Sequence, residues 1–195
     1  MITSLIQKNP MVRSALKTAL WGRTGDVIRK ISPYINTHDK ILDIGCGLSH
    51  ITKTLQDKGF YITPLDIVNH SLFDDVKPIV YDGNRMPFSA HTFDVSLLLT
   101  VLHHTPDPCA ILKEAKRVSK KIIVMEDTFS GNFQKHATYF MDSALNLEFS
   151  NHPHTNKTNL QWQAAFKKLG LKLLDVKSEK YWGLFQSTVY YLSSN

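Results

Sequence analysis

The segment ILDIGCGLSH, from Ile41 to His50, constrains the fold more than any other part of the chain. An apolar strand carries an acid, Asp43, near its end and runs into two glycines that precede a helix. Gly45 permits a tight turn off the strand, and Gly47 lets a ligand approach the backbone because no Cβ intervenes. The helix start offers free N–H groups. The pattern predicts a ligand site at the carboxyl edge of a sheet, although a glycine-rich turn by itself is equally often a plain turn.

Short apolar runs alternate with helical patterns along the chain. The predicted strands are 40–44, 61–66, 78–81, 93–99, 121–125, 171–179 and 184–192. The predicted helices are 48–58, 110–118 and 159–169, preceded by N-terminal helices between about 11 and 35, within residues 1–36. This alternation is typical of βαβ units and a parallel sheet buried on both faces. The last two strands are separated by a short connection, so we expect them to form an antiparallel hairpin in an α/β fold.

Composition indicates one globular domain. The chain has 195 residues, of which 43% are hydrophobic and 21% charged, so we expect a single domain over residues 1–195. The two cysteines, Cys46 and Cys109, have neither disulfide-framework nor zinc spacing. No apolar run reaches about 18 residues and no signal peptide is evident, so we expect a cytoplasmic protein.

The net charge of +6 admits a nucleic-acid partner, but it supports one only weakly. Basic residues are spread along the chain, with pairs such as Lys120–Lys121 as the densest spots. A solvated basic surface is the favoured interpretation.

Two further acids follow predicted strands. Asp66 lies about 21 residues beyond Gly45, where a carboxylate can accept hydrogen bonds from ribose hydroxyls. Asp82 follows the third strand, where it can accept from an adenine amine while Gly83 leaves the nearby backbone exposed. A lone Asp at a strand end is usually a turn former, and only the spacing favours the ligand role.

From Asp39 to Glu126 the chain resembles the class I S-adenosylmethionine (SAM)-dependent methyltransferases, especially the group that includes methyltransferases of quinone biosynthesis. Four motifs occur in order: DIGCG, the acid Asp66, DGNRMPF, and FDV followed by VLHHTPDP. The resemblance implies a Rossmann-like three-layer sandwich with a mostly parallel seven-stranded sheet, SAM as cofactor, and methyl transfer. One departure is visible, because Ser49 stands where many members have a third glycine. Serine is small and common at helix starts.

The resemblance also implies roles for matching positions. The first motif would hold the methionine part of SAM, Asp66 the ribose, Asp82 and Gly83 the adenine, and the end of the fourth strand would border the sulfonium. The residues predicted to bind the cofactor are Asp43, Gly45, Cys46, Gly47, Asp66, Ile67, Asp82, Gly83, Leu99 and Thr100.

A Rossmann dehydrogenase is the nearest competing interpretation, since it shares the glycine-rich turn and the acid after the second strand. Its motif needs a glycine where His50 stands, and its turn is usually apolar where Asp43 stands. We expect no second domain for hydride chemistry within these 195 residues. The methyltransferase is therefore favoured.

The candidate catalytic residues are Glu126, Asp127 and His104. The two acids end the fifth strand, which faces the acceptor in this fold, and His104 lies with His103 in the loop after the fourth strand. An oxygen or nitrogen acceptor can require a general base. A strand-terminating acid pair and packing histidines are the structural alternatives.

The segment 127–159 is too long for an ordinary connection and mixes aromatic with polar residues, as a small-molecule pocket does. We expect a partly helical lid in which His152 and His154 reach the acceptor; a surface helix with a Pro-containing turn is the alternative. The His-Pro-His spacing is not a familiar metal pattern, so no metal site is predicted.

The expected activity is methyl transfer to a small molecule. A SAM-binding partner subunit without catalysis, or a methyltransferase acting on tRNA or another macromolecule, remains the alternative. The sequence predicts no particular acceptor and no particular oligomeric state.

Overall fold

The computed structural model describes residues 10–129, 131, 156–181 and 185–194. The helices are α1 (Pro10–Ile31), α2 (His50–Asp57), α3 (Pro108–Val118) and α4 (Asn159–Lys168). The strands are β1 (Lys40–Ile44), β2 (Tyr61–Asp66), β3 (Ile79–Val80), β4 (Phe93–Leu99), β5 (Ser119–Thr128), β6 (Lys172–Tyr181) and β7 (Phe185–Ser193). Short 3-10 helices follow α1 at Ser32–Tyr34 and β4 at Leu102–His104.

The described strands form one seven-stranded sheet in the order β3-β2-β1-β4-β5-β7-β6. All pairs from β3 through β5 are parallel, and β7 is antiparallel to both β5 and β6. The predicted hairpin and the mostly parallel α/β sheet are thus confirmed. Strands β2 and β3 lie on one side of β1, and β4 and β5 lie on its other side, so the strand order reverses between β1 and β4. Open α/β sheets bind ligands at such a reversal.

Helices cover both faces of the sheet. On one face, α1 and α2 bury Val27, Ile31 and Leu55 against strand residues such as Ile41. On the other face, α3 and α4 pack around Leu42, with the rings of Trp162, Phe166 and Tyr190 at its centre. Alternate residues of one strand therefore serve two different cores, which explains why β1 is apolar without alternation.

One α-helix, rather than several, precedes the sheet between residues 10 and 36. It runs unbroken through Gly22 and Gly25 to Ile31 and continues as the 3-10 helix Ser32–Tyr34. Pro33 ends the α-helix because it lacks an N–H and disfavours helical geometry at the residue before it. The expectation of separate N-terminal helices was wrong for this range.

Strand β5 is longer than predicted. It extends to Thr128, and its last residues pair with β7, Glu126 with Thr188 and Asp127 with Ser187. The extension depends on hydrogen bonding to β7, which comes from the far end of the sequence, and not on the local strand propensity of these residues. Glu126 and Asp127 consequently lie within the sheet and point to opposite faces.

No helix within the described ranges is long and apolar enough to cross a membrane.

We predict that Phe166→Ala lowers the free energy of unfolding by about 3–5 kcal/mol, because it empties space between Trp162 and Tyr190. Urea denaturation measures the change. Leu160→Ala, on the same helix but 78% exposed, is the control and should change stability by less than about 0.5 kcal/mol. Equal effects of the two variants would contradict the described packing of α4.

Candidate functional site

The turn after β1 is shaped by two glycines with positive φ. Gly45 has φ of 71° and donates its N–H to the Leu65 carbonyl at 2.8 Å, which ties the turn to β2. A Cβ on Gly45 would lie 2.2 Å from Cγ2 of Val101, in the loop after β4. Only glycine lets these two loops touch.

Gly47 is different, because a Cβ there would meet no heavy atom within 4 Å. Its φ of 51° still favours glycine, and its N–H donates to Oδ2 of Asp66 at 2.8 Å. The space above Gly47 is open at the carboxyl edge of the sheet. A bound group can therefore come close to this backbone, as the sequence pattern predicts.

Ser49 immediately precedes α2 but does not act as a side-chain cap. It adopts the left-handed conformation, with φ of 63°, and makes no capping hydrogen bond. Its buried hydroxyl instead contacts Sγ of Cys46 at 3.8 Å. This conformation explains why glycine is common at the matching position, a reason that the sequence interpretation missed.

Asp43 is buried beneath this turn. Its Oδ2 accepts a hydrogen bond from Oγ1 of Thr52, on α2, at 2.6 Å. Burial raises the pKa of Asp43 to about 6; the Thr52 bond opposes that shift and the nearby charge of Asp66 adds to it. The carboxyl therefore titrates close to neutrality and is sensitive to any charge placed beside it.

Asp66 ends β2 and holds two backbone N–H groups. One oxygen accepts from Gly47 and the other from Ile67 at 2.7 Å. Ile67 itself is 59% exposed, and a Cβ on Gly83 would lie 3.3 Å from its Cγ2. An apolar side chain and a bare backbone thus lie side by side next to the half-buried carboxylate, a surface suited to a flat apolar ring with polar edges.

Asp82 is exposed and organises its own turn. One oxygen accepts from the N–H groups of Asn84 at 2.9 Å and Arg85 at 3.2 Å, and the hydrogen bonds of this turn lower the pKa of Asp82. The turn is held from below by Glu114, which accepts from the N–H of Met86 at 2.9 Å. Glu114 carries no sequence signal of this role, because it lies on α3, 28 positions away along the chain.

The end of β4 also departs from ordinary backbone geometry. Leu99 and Thr100 are half-buried, and Thr100 has φ of 55° and donates its N–H to the Met125 carbonyl at 2.7 Å. Non-glycine residues in this conformation are concentrated at functional sites. Together with the Gly45 contact at Val101, this places the predicted sulfonium-bordering residues beside the glycine turn.

Glu126 is fully buried at the end of β5. Its Oε1 accepts from the N–H of Leu102 at 2.8 Å, and its Oε2 lies 2.5 Å from Nδ1 of His103. The His104 ring packs on that of His103, with ring centres 4.0 Å apart, and is itself half-buried. The structure thus brings Glu126, at the end of the fifth strand, together with the two histidines of the loop after the fourth strand.

Asp127 is half-buried and lies on the sheet face covered by α1. Burial raises the pKa of its carboxyl, while the charge of Arg23 on α1 lowers it. Glu126 and His103 influence it in opposite directions. Asp127 therefore differs from Glu126 in being partly exposed to solvent.

His152 and His154 lie outside the described residues, as does most of the predicted lid. The described parts of 127–159 are the last residues of β5, Phe129, Gly131, and 156–159 at the start of α4. The lid and its two histidines stay predictions from the sequence.

Residues 42–122, about two fifths of the chain, match the methyltransferase domain family. This part of the chain is similar to a methyltransferase domain. The four ordered motifs of the sequence lie almost wholly within this match, and the resemblance drawn from them is confirmed. The family implies SAM as the methyl donor.

Relatives agree on the domain and differ in their acceptors. The chain is 34% identical over 112 residues to a tRNA U34 carboxymethyltransferase of Aliarcobacter butzleri, a match that covers 51% of this chain and 37% of that protein. It is 27% identical over 130 residues to a ubiquinone biosynthesis O-methyltransferase of Idiomarina loihiensis, covering 55% of this chain and 54% of that one. The chain thus spans only part of the length of these relatives.

The fold recurs in a SAM-dependent methyltransferase from Methanosarcina mazei, whose structure superposes with a TM-score of 0.66 at 18% identity. The match covers 84% of this chain and 96% of that one. At this identity the likeness shows the Rossmann-like fold alone.

We predict that Asp43→Asn stabilises the ligand-free protein above pH 6 and has progressively less effect toward pH 4. The folded-state pKa of Asp43 is about 6, above its ordinary 3.8, so ionisation of the native carboxyl costs stability as the pH rises through this window. The full difference is about 3 kcal/mol. Urea denaturation from pH 4 to 8 tests it, with Asp57→Asn, at the end of the helix that carries Thr52, as control. Parallel curves for wild type and Asp43→Asn would contradict a buried Asp43 with a raised pKa.

Proposed function

We propose that this protein transfers a methyl group from SAM to a small-molecule acceptor. The observation that carries the proposal is the open space over Gly47, at the point where the sheet order reverses. The Asp66 carboxylate accepts the Gly47 N–H, and the Asp43 carboxyl is buried beneath the same turn. A cofactor that carries an ammonium, ribose hydroxyls and a flat ring matches this set of groups. The match to the methyltransferase domain family supports SAM as that cofactor.

The predicted cofactor contacts divide among three loops. Asp43 and the glycine turn would face the methionine part, and a cationic ammonium there would favour the ionised form of the Asp43 carboxyl. The Asp66 carboxylate would accept hydrogen bonds from the ribose hydroxyls, in place of part of its hydrogen bonding to the backbone N–H groups of Gly47 and Ile67. Ile67, Gly83 and Asp82 would surround the adenine, while Cys46, Leu99 and Thr100 would line the remaining wall. The Cys46 thiol stays neutral there, because burial raises its pKa.

When bound, SAM supplies a methyl group already activated on a positively charged sulfur. The chain's own residues then have to hold the acceptor in line, and such positioning lowers barriers by roughly 7–11 kcal/mol. If the acceptor atom must lose a proton, Asp127 and His104 are the candidate bases. The raised pKa of Asp127 suits that task better than an ordinary carboxylate.

The acceptor proposed here is a small molecule rather than a nucleic acid. Basic side chains on several elements pair with acids of the same chain, which disperses their charge: Arg13 with Asp74, Arg29 and Lys30 with Asp26, Lys53 with Asp57, Arg117 with Glu114, and Lys120 with Asp94. Polyanion sites instead concentrate unpaired cations on one face. The tRNA relative keeps a macromolecular acceptor as the outcome that the test must distinguish.

We predict that Gly47→Val lowers SAM affinity at least about 100-fold, equal to about 2.7 kcal/mol, because its side chain would occupy the cofactor's space. Calorimetric titration measures it. The matched control is Gly59→Val: Gly59 also has positive φ, 83°, and open space around its Cβ, but it follows α2 at the other end of that helix. Both variants should lose similar stability, about 1–2 kcal/mol.

Absence of SAM binding to folded wild-type protein would overturn the proposal. Unchanged affinity in Gly47→Val would show that the cofactor lies elsewhere.

Acceptor chemistry is tested by incubating the protein and methyl-labelled SAM with metabolite, tRNA and lipid pools. On the acceptor identified, we predict that Asp127→Asn lowers kcat by about 10²–10⁴, the usual contribution of a general base. Its SAM affinity should stay within about threefold, or about 0.7 kcal/mol. Asp175→Asn, at the surface beside Tyr34, is the control. Wild-type turnover by Asp127→Asn would exclude Asp127 as the base, and label in tRNA alone would replace the small-molecule proposal.

A further inference from the structure

Glu126 and His103 form a buried polar pair between β5 and the loop after β4. Their side chains are 0% and 2% exposed. Oε1 of the carboxylate accepts the Leu102 N–H at 2.8 Å, and Oε2 lies 2.5 Å from Nδ1 of His103. Both carboxylate oxygens are therefore bound to one short stretch of the same loop.

That loop also touches the glycine turn. Val101 packs so closely on Gly45 that a Cβ there would lie 2.2 Å from Cγ2 of Val101. One residue earlier, Thr100 is held in a left-handed conformation by its N–H bond to Met125, also on β5. At the other end of the loop, His104 packs on the His103 ring. A displacement of residues 101–103 would therefore change the contact with the glycine turn on one side and move the His104 ring on the other.

The backbone N–H of Leu102 donates to one carboxyl oxygen of Glu126, and Nδ1 of His103 lies within hydrogen-bonding distance of the other. The arrangement that satisfies both oxygens of a carboxylate has the Nδ1–H tautomer of His103 donating to Oε2. A buried carboxylate is costly unless such donors satisfy it, and apolar residues of similar volume often stabilise a core equally well. Stability alone therefore does not account for a glutamate at this position, whereas a fixed loop geometry does.

We propose that Glu126 is a positioning residue that locks the loop 100–104 against the glycine turn through Leu102 and His103. Glu126 was predicted from the sequence as a candidate catalytic residue, but a fully buried carboxylate with both oxygens engaged acts through the loop rather than on the acceptor. The lock holds the loop 100–104, which borders the cofactor's methyl group, in a single conformation. It fixes the position of the His104 ring in the same way. This role rests on the proposed function, in which the same loop borders the transferred methyl.

Three variants separate the lock from simple packing. Glu126→Gln keeps the shape but replaces one acceptor oxygen with a donor, so it cannot accept from both Leu102 and His103. His103→Leu removes the donor. His103→Asn restores it, because the asparagine amide nitrogen occupies nearly the place of Nδ1. Asp94→Asn is the control: Asp94 also accepts one backbone N–H, from Lys40, and one side chain, from Lys120, but at the opposite end of β4.

The first measurement is calorimetric titration with SAM and with its demethylated product. We expect Glu126→Gln and His103→Leu to lose at least about tenfold in affinity for both, since a mispaired buried group costs about 1–3 kcal/mol. His103→Asn and Asp94→Asn should stay within about threefold. Wild-type affinity in folded Glu126→Gln and His103→Leu, or equal loss in His103→Asn and His103→Leu, would overturn the lock.

The second measurement needs no ligand and decides the proposal even if the wild type binds no SAM, which would refute the proposed function alone. Amide NMR spectra of the free protein should show Glu126→Gln shifting Gly45 and Thr100 as well as Leu102 and His103, with the ¹⁵N signal of His103 Nδ1 changing from protonated to unprotonated. His103→Asn should leave Gly45 and Thr100 in place. Changes confined to residues 102 and 103, with Gly45 unmoved, would show a local contact and not a lock.

Discussion

The contact between Gly45 and Val101 is the constraint on which the candidate site depends. Strands β1 and β4 are neighbours, yet the chain leaves β1 toward the face covered by α1 and α2 and leaves β4 toward the face covered by α3. Open α/β sheets bind ligands where two such loops diverge. Because Gly45 has no side chain, the two loops touch at this point, with Cγ2 of Val101 2.2 Å from where a Cβ would stand. Two residues later, a Cβ on Gly47 would meet no heavy atom within 4 Å.

Three acids at this edge of the sheet have different environments. Asp43 is buried with one hydroxyl partner, so its pKa rises to about 6. Asp66 is half-buried and accepts two backbone N–H groups, which shape the turn before any ligand arrives. Glu126 is fully buried, and both of its carboxyl oxygens are hydrogen-bonded to residues of the loop after β4. Burial and hydrogen-bond donors, rather than residue type, thus decide whether a carboxylate is available to a ligand.

The sequence predicted the parts of the fold that short-range patterns determine. The bounds of β1, β2 and β4 agree with the structure, because each is a compact apolar run ended by a polar or glycine residue. The extension of β5 was not predictable, since it depends on pairing with β7 from the far end of the chain. The same applies to Glu126: its position at a strand end was visible, but its bonds to Leu102 and His103 arise only when β4 and β5 lie side by side. Ser49 was identified as a departure from the motif, but its left-handed conformation needed the structure.

The residues shared with relatives do not identify the acceptor. Relatives that share this domain bear the names of a tRNA and a ubiquinone-pathway methyltransferase, so the shared residues cannot by themselves select the acceptor. Helix α1, which lies outside 42–122, is anchored at two distant places on the rest of the protein. Arg13 donates to the Leu72 carbonyl and to Asp74, in the segment after β2. Arg29 donates to Glu179 on β6. Arg23 lies between these anchors and acts electrostatically on Asp127. Because both anchors restrain α1, they also hold Arg23 in a fixed place relative to Asp127, the candidate base.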